Sequence, residues 1–226
     1  MRTLIVGDVH GCSAELQDLL EKFAFVPGKD KLISVGDVIN KGPDVLGALR
    51  ILKDLDAQVV LGNHEAGFLK IWQLPPWQRR PKDNERLAAY RNLGEIADYI
   101  KDWPLWIELP QMPLPQGLTD ITVVHAGLEP GKVNIADMNP HCLVSIRTWD
   151  GIGTNLKNPK NPPWHQCAQW SGIVVFGHWA VQGLYLTPKL RGLDTGCVYG
   201  RKLSAWSVEE DKVYQVNSRQ TKRIFD

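Results

Sequence analysis

The stretch Leu4-Ile5-Val6-Gly7-Asp8-Val9-His10-Gly11 decides the fold, because a short apolar run ends there abruptly in glycine and polar side chains. Four further stretches repeat this arrangement. They are LISVGD (32–37), VVLGNHE (59–65), ITVVHAG (121–127) and IVVFGH (173–178). Runs of about four apolar, β-branched residues bounded by glycine are typical of buried strands. The sequence therefore predicts five such strands.

Helical periodicity occupies the spaces between the first three strands. The apolar residues between 16 and 23 recur at i, i+3, i+4 and i+7, and Ser13 is predicted to be the N-cap of this helix. A second apolar stripe runs through residues 45–55. Strands that alternate with helices in this way indicate right-handed crossovers and parallel strand pairing.

The rest of the chain is less regular. We expect an irregular segment at 72–83, a helix at 85–101, a proline-broken connection at 104–117, a polar loop at 154–165 and antiparallel strands at 203–208 and 213–216. No repeat or clear boundary divides the sequence, so residues 1–226 are predicted to form a single domain with insertions at about 72–117 and 154–165.

The composition excludes several classes of protein. With 226 residues, 43% hydrophobic content and a net charge of +1, the chain can bury a core but lacks the basic excess of a duplex nucleic-acid or anionic-membrane binder. No apolar run is long enough for a membrane span and no signal peptide is evident, so we expect a cytoplasmic protein with reduced cysteines. The nine tryptophans, several of them between 149 and 179, suit core filling or a surface for stacking a base.

Each predicted strand is followed by side chains that can bind metal. In chain order they are Asp8, His10, Asp37, Asn63, His64, His125 and His178. Any one of them alone is more often a structural residue, but the carboxyl ends of parallel strands converge at one edge of a sheet. Oxygen and nitrogen ligands without thiolate suit Mn²⁺, Fe²⁺, Co²⁺ or Zn²⁺. Two carboxylates, one amide and three of these imidazoles are too many ligands for one catalytic ion and suit two ions that share a carboxylate.

These motifs resemble the calcineurin-like metallophosphoesterases. The resemblance is carried by GDVHG (7–11), GD with a downstream basic residue (36–42), GNHE (62–65), HAG (125–127), GH (177–178) and LDTGCVYGRKLSAW (193–206), and it covers essentially the whole chain. It is strongest with the branch that holds the phosphoprotein phosphatases and the bacterial symmetrical diadenosine tetraphosphatases. The resemblance implies an α/β fold, namely a βαβ sandwich of mixed sheets flanked by helices, and a two-metal phosphohydrolase activity.

The resemblance also implies roles for individual residues. Asp8, His10 and His178 would hold one ion, Asp37 would bridge both ions, Asn63 and His125 would complete the second site, and His64 would be the general acid. A hydroxide held between the two ions would attack phosphorus in line. Manganese is the expected metal, with iron, cobalt and zinc as alternatives.

Asn40 and Lys41 depart from the pattern of the protein phosphatases, which carry an Asp-Arg pair there. Asn40 can still hydrogen-bond His64, but Lys41 offers phosphate a point charge rather than a fork. The departure favours hydrolysis of dinucleoside polyphosphates, diadenosine tetraphosphate giving two ADP. Messenger RNA caps and polyphosphate stay open as substrates, a serine/threonine protein phosphatase is the alternative, and a non-catalytic metal-binding protein is a third hypothesis.

Two further sets of basic residues bear on the substrate. Arg147 is a candidate second phosphate contact, with a surface arginine as the alternative interpretation. Arg79, Arg80, Lys82, Arg86 and Arg91 form a basic cluster. This cluster suits either a solvated helix face or the rim of a site for a polyphosphate chain.

Overall fold

The computed structural model describes residues 1–90 and 92–221, and within these residues the chain forms ten strands and seven α-helices. The strands are β1 (Thr3–Val6), β2 (Lys31–Ser34), β3 (Gln58–Val59), β4 (Trp106–Leu114), β5 (Gly117–Val124), β6 (Ile173–Phe176), β7 (Tyr185–Thr187), β8 (Leu190–Gly192), β9 (Lys202–Ser207) and β10 (Lys212–Asn217). The helices are α1 (Ser13–Phe23), α2 (Val45–Asp54), α3 (Asn63–Trp72), α4 (Pro81–Ala88), α5 (Leu93–Ile100), α6 (Pro140–Ser145) and α7 (Trp164–Cys167).

The strands form two mixed sheets. The first has the order β10-β9-β1-β2-β3, with β1, β2 and β3 parallel and β9 antiparallel to both of its neighbours. The second has the order β4-β5-β6-β8-β7, with β5, β6 and β8 parallel. The five strands predicted from the sequence are all present, three in the first sheet and two in the second.

The core lies between the two sheets and continues under the flanking helices. Ile5 and Ile33 of the first sheet and Val123 and Val175 of the second belong to one fully buried cluster between the sheets. Removing such side chains from water is the main stabilising contribution of the core. The apolar stripe of α1 packs in a second cluster, on the outer face of the first sheet. The predicted α/β class, a sandwich of mixed sheets flanked by helices, is confirmed.

The tryptophans between 149 and 179 serve mainly as core. Trp164 is fully buried and packs edge-on against Phe176, with ring centroids 5.4 Å apart. Trp149 and Trp170 pack against the same cluster on the outer face of the second sheet. Core filling is therefore the correct interpretation for these three side chains, rather than a platform for stacking a base.

The N-cap predicted for the first helix was wrong by one residue. Ser13 is the first residue of α1, and Cys12 precedes it without a side-chain cap. The Ser13 hydroxyl instead donates to Asp44 Oδ2 at 2.7 Å, and Asp44 itself caps α2 by accepting from Gly47 N at 2.9 Å. The Ser13 side chain thus links the N-termini of α1 and α2.

The segment between 72 and 117 differs most from the sequence expectation. The single helix predicted at 85–101 is two helices, because α4 already begins at Pro81, a residue well suited to a first helical turn, and α5 starts only after Asn92, which has a left-handed backbone. The predicted connection at 104–117 contains β4. This is an edge strand, and its register shifts between Leu109 and Met112, which is how a strand tolerates proline. Among the described residues, no helix is both long and apolar enough to cross a membrane.

Candidate metal centre and active site

The carboxyl ends of strands from both sheets meet at one edge of the sandwich. Three strands of the first sheet lead into Asp8 and His10, Asp37, and Asn63, while β5 and β6 of the second sheet lead into His125 and His178. The two carboxylates and three of the imidazoles (His10, His125 and His178) are buried. The topology therefore brings the predicted ligands together from both sheets.

Several of these residues have an unusual backbone conformation. The φ angles of His10, Asp37 and His178 are 46°, 49° and 66°, and those of Asn40 and Lys41 are 70° and 71°. Non-glycine residues rarely adopt such values, which cost stability and are concentrated at functional sites. The side chains of His10, Asp37, Lys41 and His178 line a common cavity.

One group of donor atoms forms around Asp37. His10 Nε2 lies 3.6 Å from Asp37 Oδ2, and His64 Nε2 lies 3.9 Å from the same oxygen. These three residues form a set with ligand atoms close enough to hold one ion. Asp8 lines the same cavity and accepts hydrogen bonds from the main-chain N–H of His178, at 3.1 Å to each carboxylate oxygen.

A second group lies on the other side of Asp37. His125 Nε2 is 3.4 Å from Asp37 Oδ1 and 3.1 Å from Asn63 Oδ1, and His178 Nδ1 is 2.7 Å from Asn63 Oδ1. The sequence expectation grouped His178 with Asp8 and His10, whereas in the structure the His178 imidazole lies beside Asn63 and His125. The left-handed turn at His178 explains this position. It lets the main-chain N–H of His178 donate to Asp8 and directs the imidazole towards Asn63 and His125.

The second ring nitrogen of each buried imidazole is bound by a main-chain carbonyl. His10 Nδ1 lies 2.9 Å from Ile39 O, and His125 Nδ1 lies 2.8 Å from Val35 O. His178 is held by its Nε2, 3.1 Å from Ser145 O. A carbonyl can only accept, so in each ring the nitrogen beside it carries a proton, and the other nitrogen is the one that would bind a metal ion once it is deprotonated. Metal-binding histidines are held in this way, and the donor set fits divalent metal ions.

Asp37 and the imidazoles around it strongly shift one another's pKa values. Burial acts to raise the pKa of Asp37, but the neighbouring imidazoles of His125, His10 and His64 outweigh it and hold the pKa well below its usual value. For His125, burial acts to lower the pKa, and the charge and hydrogen bond of Asp37 raise it to about 10. For His10, burial dominates and lowers the pKa to about 3. Asp37 is therefore a carboxylate, the form that a metal bridge requires.

Asn40 and His64 are in direct contact, as their motifs suggested. Asn40 Nδ2 lies 2.7 Å from His64 Nδ1, and the Tyr90 hydroxyl donates to Asn40 Oδ1. The His64 main-chain N–H donates to Asp37 Oδ1 at 2.9 Å, which ties this residue to the metal group. Burial lowers the pKa of His64 to about 4. At neutral pH only a small fraction of the His64 imidazole is therefore protonated.

Glu65 is a positioning residue that the sequence interpretation missed. Its fully buried carboxylate accepts from the main-chain N–H groups of Asp37, Val38, Ile39 and Gly62 at 2.9–3.1 Å. The Glu65 side chain therefore ties the loop that contains Asp37 to the start of α3. The sequence feature that could have identified Glu65 is its place in the GNHE motif, beside the predicted site residues Asn63 and His64.

Three cationic side chains line the metal cavity, which has a volume of about 330 Å³. They are Lys41, Arg147 and Lys157. Lys41 Nζ lies 3.1 Å from His10 Nε2, and Arg147 Nη2 donates to His178 O at 3.2 Å. Lys41 and Arg147 were expected here from the sequence, whereas Lys157 was not, because residue 157 lies in a polar loop without a motif.

The structure brings only part of the basic cluster towards the site. Arg86 lines a groove beside His64. Arg79 donates instead to the carbonyls of Trp72 and Leu74, and Arg80 pairs with Asp83. Lys82 is exposed, and Arg91 lies outside the described residues. Two of the four described members, Arg79 and Arg80, therefore serve the helical segment itself.

This fold, with carboxylate, imidazole and amide donors at the strand ends of both sheets, defines a metal-dependent phosphoesterase. The family model of the calcineurin-like phosphoesterases matches residues 1–191, and the chain belongs to that family. The family's enzymes are hydrolases that use a dinuclear site for divalent metal ions, and the Asp and His groups described above supply such ligands.

Within the family the chain is similar to proteins named symmetrical bis(5'-nucleosyl)-tetraphosphatase. The protein of that name from Shewanella oneidensis is 31% identical over 94% of this chain and 96% of its own length. The one from Shewanella sp. strain MR-4 is 32% identical with the same coverage. A crystal structure described as that of a candidate diadenosine tetraphosphatase is 33% identical, with a TM-score of 0.82 over 96% of this chain and 93% of the other.

The fold is also shared with more distant proteins. A serine/threonine phosphatase from Saccharomyces cerevisiae is 14% identical and aligns with a TM-score of 0.53 over the whole of this chain and 82% of its own. At this identity the likeness concerns the fold alone.

Proposed function

We propose that the protein hydrolyses the phosphoanhydride bonds of dinucleoside polyphosphates and splits diadenosine tetraphosphate symmetrically into two ADP. The observation that carries this proposal is the presence of three cationic side chains, Lys41, Arg147 and Lys157, in the lining of the metal cavity. A tetraphosphate chain spreads several negative charges along its length, whereas a phosphoserine presents a single phosphoryl group. Three separate cations therefore suit the chain better than the monoester. The names of the similar Shewanella proteins support the same substrate.

The proposed ligand sets follow the two groups of donor atoms. Asp8, His10 and Asp37 would hold one ion, and Asp37, Asn63, His125 and His178 the other, with manganese as the proposed metal and iron, cobalt or zinc as alternatives. When bound, such a pair of ions supplies a water molecule activated for attack and neutralises charge on the phosphoryl oxygens. Glu65 contributes by holding the Asp37 loop against the start of α3.

The remaining site residues would act on the substrate. Lys41 and Arg147 hold the phosphate chain by charge-assisted hydrogen bonds. His64 faces the departing oxygen, and Asn40 orients its imidazole through the 2.7 Å contact. Asn40 adds no negative charge that would favour a protonated imidazole. A nucleoside diphosphate departs as a stable anion and needs little help from an acid, whereas a serine alkoxide needs a proton. This part of the site thus suits an anhydride. A cytoplasmic location is part of the proposal.

Product analysis tests the proposed function directly. Diadenosine tetraphosphate and a phosphoserine peptide are incubated separately with the protein and Mn²⁺, and early products are separated by ion-exchange chromatography. ADP as the sole early nucleotide product, with the peptide intact, is the expected result. Dephosphorylation of the peptide with the dinucleotide untouched would establish a protein phosphatase instead. An Asp37→Asn preparation, purified in parallel, controls for contaminating hydrolases.

A further inference from the structure

A second cavity opens directly beside the metal cavity and is called the side groove here. It has a volume of about 440 Å³ and is walled by Gly67, Phe68 and Ile71 of α3, Arg86 and Leu87 of α4, and Tyr90. Lys41, Asn63 and His64 line both cavities, so the side groove is continuous with the metal site. A molecule held at the metal site can therefore extend into the groove without crossing a barrier of protein.

The walls of the side groove differ chemically from those of the metal cavity. Phe68, Ile71, Leu87 and the ring of Tyr90 provide an apolar and aromatic surface, and Arg86 adds a positive charge. Phosphate gains nothing from apolar walls, whereas a nucleoside has flat apolar faces and is attached to a negative chain. Sites for small ligands range from about 300 to 1,000 Å³, so the groove has room for one nucleoside.

The aromatic wall is held in position before any ligand arrives. The Tyr90 hydroxyl donates to Asn40 Oδ1, which fixes one end of the side chain. The Phe68 ring packs edge-on against the Tyr90 ring, with centroids 5.4 Å apart and planes at 84°. A wall fixed in this way loses little conformational freedom when a base lies against it, which favours binding.

We propose that the side groove binds the nucleoside of the departing half of the substrate. This inference rests on the proposed function and names the subsite that the function requires. His64 stands between the two cavities, on the side proposed for the departing oxygen, so the group that leaves past His64 enters the groove. Its base lies against Tyr90 and Ile71, and Arg86 attracts the attached phosphates. The other half of the substrate extends towards Arg147 and Lys157.

Two glycines provide a matched pair of variants that test the groove. Gly67 lies on α3 and lines the groove, and a Cβ built there meets no atom within 4 Å. Gly94 lies on α5 with equally open space, and the groove does not include it. A Cβ is thus accommodated at both positions, so Gly67→Leu is designed to place its side chain in the groove, and Gly94→Leu makes the same chemical change on another helix.

The test compares two substrates that share the metal site. Diadenosine tetraphosphate carries nucleosides, and inorganic tripolyphosphate carries none. We expect Gly67→Leu to lower the ratio of the two kcat/KM values at least about tenfold, as expected when the stacking of one base is removed, and Gly94→Leu to leave it within about twofold. An unchanged ratio in Gly67→Leu, whether both rates fall or neither does, would overturn the proposal.

Binding of adenosine provides a readout that needs no turnover. Saturation-transfer NMR should detect adenosine on the wild-type protein and on Gly94→Leu, and should not detect it on Gly67→Leu. If the wild type binds adenosine but does not split the dinucleotide, the proposed function fails while the groove assignment stands. If adenosine binds equally to all three proteins, or to none, the groove assignment fails. An apolar side chain of a phosphopeptide as the true occupant would appear as peptide hydrolysis that Gly67→Leu abolishes, which also overturns the assignment.

Discussion

The metal end of the sandwich and the helical segment from α3 to α5 are built in different ways. At the metal end, the imidazoles of His10, His125 and His178 are buried and each is bound by a main-chain carbonyl. In the helical segment, Arg86 is exposed and Tyr90 only half-buried. We therefore expect the chemical step to depend on the main chain of the two sheets, and the choice of substrate to depend on side chains of the short helices.

Asp37→Asn should remove activity on every substrate. Asp37 is the only described residue that belongs to both groups of donor atoms around the cavity. We expect kcat to fall at least about 1,000-fold for both diadenosine tetraphosphate and tripolyphosphate, more than the 10–100-fold typical of losing a residue that merely supports a ligand. Metal analysis after gel filtration should show fewer bound ions. Asp54→Asn, on the exposed face of α2, is the control. A rate close to wild type would exclude the bridging role.

His64→Gln should separate substrates by their leaving group. Loss of a proton donor typically costs about 100-fold or more when the departing oxygen needs protonation. We therefore expect a large loss on an alkyl phosphate and a loss of less than about tenfold on diadenosine tetraphosphate or an activated aryl phosphate, with metal content unchanged. His141→Gln, at an exposed position of α6, is the control. Equal losses on all three substrates would contradict a role of His64 at the leaving group.

Lys41→Met should weaken substrate binding and leave the metal ligands in place. A hydrogen bond to a charged group contributes about 1.5–3 kcal/mol, which corresponds to a rise in KM of about 10–100-fold for anionic substrates. Lys82→Met provides the control, because Lys82 belongs to the basic cluster but is exposed on α4. Steady-state kinetics with diadenosine tetraphosphate measure both. An unchanged KM in Lys41→Met would place Lys41 outside the binding site. A raised KM in Lys82→Met would indicate that the basic cluster forms the rim of the substrate site.

The strands and the cluster of site residues could be predicted because both are local features of the sequence. His125 directly follows an apolar run, and Asp8 follows one after a single glycine, so the strand ends carry them to the same edge. Which imidazole lies beside which carboxylate depends on the order of the sheets and on single backbone angles. The left-handed φ of 66° at His178 turns its ring towards Asn63, and nothing in its neighbouring residues indicates this.

The helical segment was harder to predict for a related reason. Its elements are short, and their limits depend on packing against the rest of the fold. Pro81 can open a helix as well as end one, and the bulge in β4 accommodates a proline that suggested a loop. Tyr90 and Lys157 carry no motif and reach the site only through tertiary folding. The side groove was therefore invisible in the sequence.

The origin of the ligands in two separate sheets has a consequence for the stability of the molecule. Ions held by Asp37 and Asn63 at the strand ends of the first sheet and by His125 and His178 at those of the second would act as cross-links between the two halves of the sandwich. Because an ion that binds only the folded state stabilises it by mass action, a free concentration 100 times the dissociation constant contributes about 2.7 kcal/mol. The folded fraction of this protein would then follow the divalent metal supply of its surroundings, and starvation for metal would deplete the protein itself as well as its activity.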